Sequence, residues 1–398
     1  MSDKPKVIVC QHGARHRYAI PRMLEQAGML EALYTDSCEH SFLGKIAKAM
    51  GPLAKGSLRR LANRKIIEIP RKKVFSTDMF VLKCLFEKRG GGWLRILSRK
   101  MICWWGRESS EIVYNMYCEN LDFLRYIQNS NAKIVCDVYI SPISNRLMRD
   151  EYGTQKFLGM FHPSGIDMVQ EQYLIEAFNL ADILLCPSNW VADGVKELCP
   201  ENAGKIKICP YGSSIDYGGR VNKPVKGRFF WAGGDWVRKG LHYLAEAADE
   251  LKVKYPEMDF RVAGITDSNV VNMPRFKNLN FLGKLNKGQM QQEFLTADMF
   301  VFPTLSEGMA GTVIEAMAAG CPVITTRCAG IDVIDNYKNG VIVPERDSQA
   351  LLIAIEKLYI DRNLRDSISD EILLLAKEYT ENAWRKRLVQ VLEEVKNL

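Results

Sequence analysis

One stretch of the chain, Phe302 to Pro322 (FPTLSEGMAGTVIEAMAAGCP), admits few folds. The four residues Met299 to Phe302 are wholly apolar, the pattern of a strand buried on both faces. A loop carrying Glu307, Gly308 and Gly311 follows, then a helical pattern that Gly320 and Pro322 stop. Thr312 and Glu315 have the Thr-x-x-Glu spacing of a capping box, so the helix is expected to open at Thr312. Strand, glycine loop and helix form the unit of a parallel α/β sheet, whose loops open at the carboxyl edge where ligands bind. There the N–H groups of Gly308, Met309, Ala310, Gly311 and Thr312 would meet an anion at the positive end of a helix dipole, above all a phosphate. The same residues also suit a plain turn, with Glu315 only a capping partner and Glu307 a solvated acid.

The unit recurs in both halves. Lys6 to Cys10 reads as a strand, Gln11 to Arg15 as its loop, and Tyr18 to Ala27 as a helix stopped by Gly28. Further strands are expected at Ala132–Ser141, Lys156–Phe161 and Ala181–Ser188, with a helix from Asn189 to Leu198. A second series begins at Arg228–Ala232 with a helix from Leu241, continues through Phe260–Gly264, Asn280–Leu282 and Val341–Val343, and closes in helices that reach Lys396. Between the series, Tyr217 to Gly227 is rich in Gly, Pro and Lys, as a linker would be. A length of 398 residues accommodates two domains of ordinary size. The expected limits are 1–216, a linker 217–227, 228–378, and a last helix 379–398. No G-x-G-x-x-G follows a strand, which argues against a dinucleotide-dependent oxidoreductase.

Glu307 and Glu315 at E-x7-E spacing, followed by EAMAAGCPVI, resemble the donor-binding motif of retaining GT-B glycosyltransferases of family 4. The resemblance covers nearly all of Phe157 to Leu398 and is weak between Ser41 and Ile127. It implies two doubly wound Rossmann-like domains facing a central cleft. It also implies that Glu307 contacts the donor sugar, that Glu315 holds the ribose hydroxyls, and that the intervening amides hold the diphosphate. Lys239-Gly240 fits the family's Lys-Gly, whose ammonium neutralises the diphosphate. The family's usual Arg after the first glycine is replaced by Gly234 and Asp235, which leaves Arg238 as the candidate second cation. His162, before Pro163 and Gly165, matches the interdomain His that contacts the sugar. Gly13 falls where the first loop approaches the donor phosphates, with Arg15, His16 and Arg17 as acceptor or phosphate contacts. Lys284 and Leu285 fall where relatives recognise the base, and Pro210-Tyr211-Gly212 is close to the turn that leaves the first domain.

Charge is unevenly placed. Between Ser41 and Arg107 seventeen Lys or Arg stand against three acids, a surplus of fourteen where the whole chain carries +7, so the rest is net −7. Within the block Phe42, Leu43, Ile46, Met50 and Leu53 follow helical spacing, and Trp93, Trp104 and Trp105 come later. Basic residues mixed with apolar ones suit an anionic bilayer surface. An ordinary insertion with a charged outer face, its aromatics in the core, is the other reading. No nucleic-acid motif accompanies the charge, so nucleic acid is not expected as a partner. Eleven scattered cysteines, without a C-x-x-C pair, point to reduced thiols in a cytoplasmic protein. No signal peptide or run of about 20 apolar residues is present in the sequence, which leaves a soluble protein or one peripheral to the inner membrane face.

These readings converge on a metal-independent glycosyltransferase with no cofactor, using a nucleotide-diphosphate sugar as co-substrate, with UDP favoured over GDP. The expected acceptor is a lipid-linked or polysaccharide intermediate of cell-surface glycan assembly. A soluble acceptor, a sugar-nucleotide epimerase on the same fold, and a non-catalytic binding protein are the alternatives.

Overall fold

The computed structural model of the protein describes residues 4–53, 56–76, 78, 110–116, 121–154 and 167–397. The first sheet contains β1 (Val7–Gln11), β2 (Leu30–Thr35), β3 (Val74–Ser76), β4 (Ile112–Met116), β5 (Lys133–Asp137), β6 (Ile183–Cys186) and β7 (Ile206–Ile208), in the order β3-β2-β1-β4-β5-β6-β7. The second contains β8 (Arg228–Ala232), β9 (Asp259–Ala263), β10 (Leu279–Gly283), β11 (Met299–Phe302), β12 (Val323–Thr325) and β13 (Val341–Ile342), in the order β10-β9-β8-β11-β12-β13. Every described pairing between these strands is parallel. Helices cover both faces of such sheets, which is why β6 and β11 are apolar and buried along their whole length.

Each sheet reverses its strand order beside its first strand, at β1/β4 and at β8/β11. The chain leaves a crevice at the carboxyl ends of those strands. The loop after β1 and the loops after β8 and β11 therefore face a common cleft.

Two local expectations are corrected. The helix after β11 is Gly311–Ala319, with Ala310 as N-cap and no side-chain cap. Thr312 is already inside the first turn, so the capping box is absent, and both Thr312 and Glu315 are released from that task. Near the start of the chain the helix opens at Ala19 rather than Tyr18. Before it, His16, Arg17 and Tyr18 take left-handed conformations with φ of 48°, 54° and 59°. Three such non-glycine residues in a row cost on the order of 1 kcal/mol each. The buried Gln11 amide holds the turn by donating to the carbonyls of Gly13 (3.0 Å) and Arg15 (3.1 Å). The expected strand Lys156–Phe161, His162, and Trp93, Trp104 and Trp105 lie outside the described residues.

The last helix, Glu381–Lys396, rests on the first domain. Glu381 pairs with Arg22 (2.6 Å), Lys396 with Glu111 (2.8 Å), and Trp384 is buried. The chain thus crosses between domains twice, and the crossings run side by side. Ser213 N–H donates to Tyr379 O (2.8 Å) and Glu381 N–H to Ser213 O (3.1 Å). Gly212 is needed here, because a Cβ would stand 2.2 Å from Thr380 O. Among the described residues no helix is long and apolar enough to cross a membrane.

Candidate active site

The loop after β8 brings two cations to the cleft. Gly233 has no side chain, and a Cβ there would sit 2.2 Å from the Lys239 stem, so the lysine lies across it. Its Nζ reaches Glu307 Oε1 at 2.5 Å and sits 4.8 Å from the Phe302 ring centre. Arg238 meets the same oxygen at 2.9 Å, donates to Ser306 O at 2.6 Å, and is steadied by Asp235 at 3.1 Å. The Glu307 and Lys239 side chains are only 13% and 16% exposed. Without a competing anion, then, one carboxylate oxygen holds both cations in a largely desolvated corner. Arg238, the candidate second cation, thus stands beside Lys239 on the same carboxylate.

The loop between β11 and its helix is pressed against the first domain. A Cβ on Gly308 would lie 1.7 Å from Tyr139 O, so only glycine permits this approach. Ser188 Oγ donates to Gly308 O (2.6 Å) from the same side. Of the five amides expected to meet an anion, that of Ala310 is taken by Ala329 O (2.9 Å). Those of Gly308, Met309, Gly311 and Thr312 have no acceptor among the described residues.

Two cavities open along the cleft. One, of about 320 Å³, is lined by Arg17, Gly311 and Glu315, with Leu285, Ile215, Met290 and Lys287 beyond them. Burial raises the Glu315 carboxyl above the ordinary carboxylate range, against the opposing pull of Arg17 and Lys287. Tyr217 fixes this part of the helix by donating to Glu315 O (2.9 Å). The other cavity, of about 480 Å³, is lined by Arg15, Tyr139, Asn145, Arg238, Glu307 and Gly308.

His16, Tyr211 and Met309 line both cavities and so form the wall between them. His16 keeps an exposed side, and its ring is packed edge-on against Tyr211 (4.8 Å) and Trp384 (5.4 Å). That packing, and then the neighbouring Arg15, lowers its pKa to about 4, so it is neutral at neutral pH. Tyr211 is held in turn by Asp137, whose carboxylate accepts from Tyr211 (2.7 Å) and Tyr114 (2.6 Å) at the carboxyl end of β5. Arg15 lies over the Tyr139 ring at 3.3 Å.

The structure therefore gathers Glu307, Arg238, Gly308, Met309, Arg15 and His16 around one cavity, and Glu315, Gly311, Leu285 and Arg17 around its neighbour; Lys239 lines neither and stands behind Glu307, while Ala310 and Thr312 also line neither. Arg17, grouped by sequence with the acceptor contacts, stands in the Glu315 cavity. Lys284 is exposed and lines neither cavity; Lys287, the first residue of the helix Lys287–Thr296, stands there instead. Gly13 lines neither, and its N–H donates to Asp36 (2.9 Å). Sequence reasoning missed Ile215, Met290, Glu381 and Trp384 in one wall and Tyr139 and Asn145 in the other. Only the Thr380 and Glu381 helix start offered a local signal for any of these.

Residues 226–361 match the family model described as glycosyl transferases group 1. Among curated proteins, the chain is 26% identical to a putative colanic acid biosynthesis glycosyltransferase, WcaL, of Salmonella typhimurium, over 40% of this chain and 43% of that one. It is 27% identical to the N,N'-diacetylbacillosaminyl-diphospho-undecaprenol alpha-1,3-N-acetylgalactosaminyltransferase of Campylobacter jejuni, over 39% of this chain and 42% of that one. The chain spans less than half the length of the first curated relatives it matches. In structure it superposes on HepE of Anabaena, crystallised with UDP, with a TM-score of 0.65 at 13% identity, covering 98% of this chain and 100% of that one. Two parallel sheets facing a cleft, with this likeness, make the fold GT-B.

Proposed function

We propose that the protein is a retaining glycosyltransferase that moves a sugar from a nucleotide-diphosphate sugar to a glycan acceptor. The observation that carries the reading is the meeting of Lys239 and Arg238 on Glu307, beside the free amides of Gly311 and Thr312, at the crevice between β8 and β11. A diphosphate bound there takes the two cations from Glu307, and the released carboxylate is free to orient sugar hydroxyls. Glu315 accepts from the ribose in the smaller cavity, with the base beyond it against Leu285, Ile215 and Met290. UDP is the favoured nucleotide, in keeping with the complex of the structural neighbour.

In the proposed reaction the bond between the anomeric carbon and the diphosphate oxygen breaks, and the diphosphate leaves with the electron pair. The acceptor hydroxyl forms the new bond on the same face, and its proton passes to the departing phosphate. Charge gathers on the leaving group as that bond stretches, and donors already in place there contribute several kcal/mol. Lys239, Arg238 and the helix amides supply them without a metal ion or cofactor. The acceptor then sits in the larger cavity, near Arg15 and His16. The names of the relatives support a lipid-linked or polysaccharide intermediate of cell-surface glycan assembly as acceptor.

Glu307→Gln separates the roles. It removes the carboxylate that competes for both cations, so binding of UDP is expected to tighten by about fivefold, equivalent to about 1 kcal/mol. Transfer from UDP-sugars is expected to fall by at least about 100-fold, because the hydroxyls lose a charged acceptor and keep only a weaker amide oxygen. Calorimetry with UDP and an assay of sugar transfer read the two effects. Full transfer by the variant, or UDP binding unaffected by Lys239→Ala, refutes the assignment.

A further inference from the structure

The segment after β2 is built around an exposed apolar stripe. The helix Phe42–Ala49 is capped by Ser41, packs Gly44 against the turn at Cys38 and Glu39, and buries Ala47. Its opposite side carries Phe42 (74% exposed), Ile46 and Met50, and the stripe continues to Leu53 (76% exposed). The spacing of four keeps Phe42, Ile46 and Met50 along one line of the helix and its cap, and Leu53 follows exposed in the short turn Gly51–Leu53. A helix that only packed on the domain would bury its large apolar residues; this one buries Gly44 and Ala47 and leaves Phe42 and Ile46 exposed.

Between Ser41 and Lys73 ten Lys or Arg stand against a single acid, Glu68. Of these, Lys45, Arg59, Lys65 and Lys72 are exposed and make no ion pair among the described residues. Lys45 flanks the stripe directly. An aqueous protein partner with an acidic face would match the charge but not the line of apolar side chains. An anionic bilayer matches both, since its headgroups meet the cations while its acyl boundary takes the Phe and Leu.

We propose that the Phe42–Leu53 stripe is the face by which the protein docks on an anionic lipid bilayer, holding the acceptor side of the cleft at the membrane surface. The placement follows from Asp36. One of its carboxylate oxygens accepts from Gly13 N–H (2.9 Å) in the loop after β1, and the other holds Arg64 (2.7 Å) just after the helix Gly56–Ala62. The helical pair is thereby fastened to the loop that carries Arg15 and His16 into the cleft. This deepens the glycosyltransferase reading only by siting its acceptor; the docking face itself stands without it.

The test is co-sedimentation of the full chain with phosphatidylcholine vesicles, with and without phosphatidylglycerol. Binding is expected only when phosphatidylglycerol is present, and it should weaken as salt is added. The double variant Phe42→Ser, Leu53→Ser is expected to bind at least about tenfold more weakly, and Lys45→Glu, Lys65→Glu should also lose binding. UDP binding by all variants should match the unsubstituted protein, which shows that they are folded and keeps failure of the donor reading separate. Equal vesicle binding by the variants overturns the proposal. So does absence of binding by the unsubstituted protein, or a concentration-dependent dimer that the Phe42 and Leu53 substitutions abolish.

Discussion

Glu307 and Glu315 lie in one loop and helix, yet their surroundings differ. Glu307 is matched by two cations within 2.9 Å. Glu315 has only the more distant influence of Arg17 and Lys287, and burial raises its pKa. Two opposite pH effects follow. The carboxylate form is the better acceptor for ribose hydroxyls, so UDP affinity should weaken as pH falls through the raised value, by up to tenfold per unit below it. Stability runs the other way: a raised native pKa favours the fold at low pH, and that contribution is lost as pH rises through the native value. Glu315→Gln should remove both trends, leaving a UDP dissociation constant flat across mildly acidic pH when measured by calorimetry. Persistence of the acid weakening in that variant would exclude Glu315 as its source. At this scale the sequence was informative where spacing is local. The two acids and Lys239 could be named because each falls in a short local motif, E-x7-E and Lys-Gly, that resembles a known donor site. Asn145 and Trp384 could not, because nothing near them in the chain shows that they approach the cleft.

At the scale of elements, buried parallel strands were legible because burial on both faces writes an uninterrupted apolar run, as in Met299–Phe302. Helix starts were less so. Thr312 and Glu315 satisfy a capping pattern, but tertiary contacts of the loop with Ala329 and Tyr139 set the helix one residue earlier. The left-handed turn at His16 to Tyr18 left no glycine to announce it. Between elements of the two domains, Glu151 at the end of the helix Ser144–Tyr152 is fully buried. It accepts from His242 (2.9 Å), Tyr243 (2.7 Å) and Arg346 (2.8 Å), all from the second domain. Burial opposes its ionisation, but the three donors outweigh burial and pull its pKa down to about 2. Its contribution is therefore complete above the ordinary Glu range and is lost as pH falls toward about 2. Glu151→Gln is expected to lower unfolding stability at neutral pH by about 2 kcal/mol, read by urea denaturation. The deficit should shrink in acid, and a pH-independent deficit would count against the charged contact.

At the scale of the whole molecule, two parallel sheets followed from the alternation of strand and helix in both halves, while the strand order within each did not. The return of the last helix to the first domain is written less clearly, since its sequence shows an amphipathic face but not which domain receives it. That helix supplies Trp384 to the wall shared with His16 and Tyr211, and its start supplies Glu381 to the smaller cavity. A chain ending at Glu378 should therefore bind UDP at least about tenfold more weakly. It should also expose the apolar seat of Trp384, Leu388 and Leu392, detected as increased binding of a hydrophobic dye. Unchanged dye binding and UDP affinity would show that the helix is dispensable to both. The same arrangement bears on how the protein is made. Domains generally fold in the order of their synthesis, but the first one here receives its final packing layer from a helix that is made only after the whole of the second sheet. Until then its core stays open on one side, so the amino-terminal half is the part most in need of chaperone cover during translation.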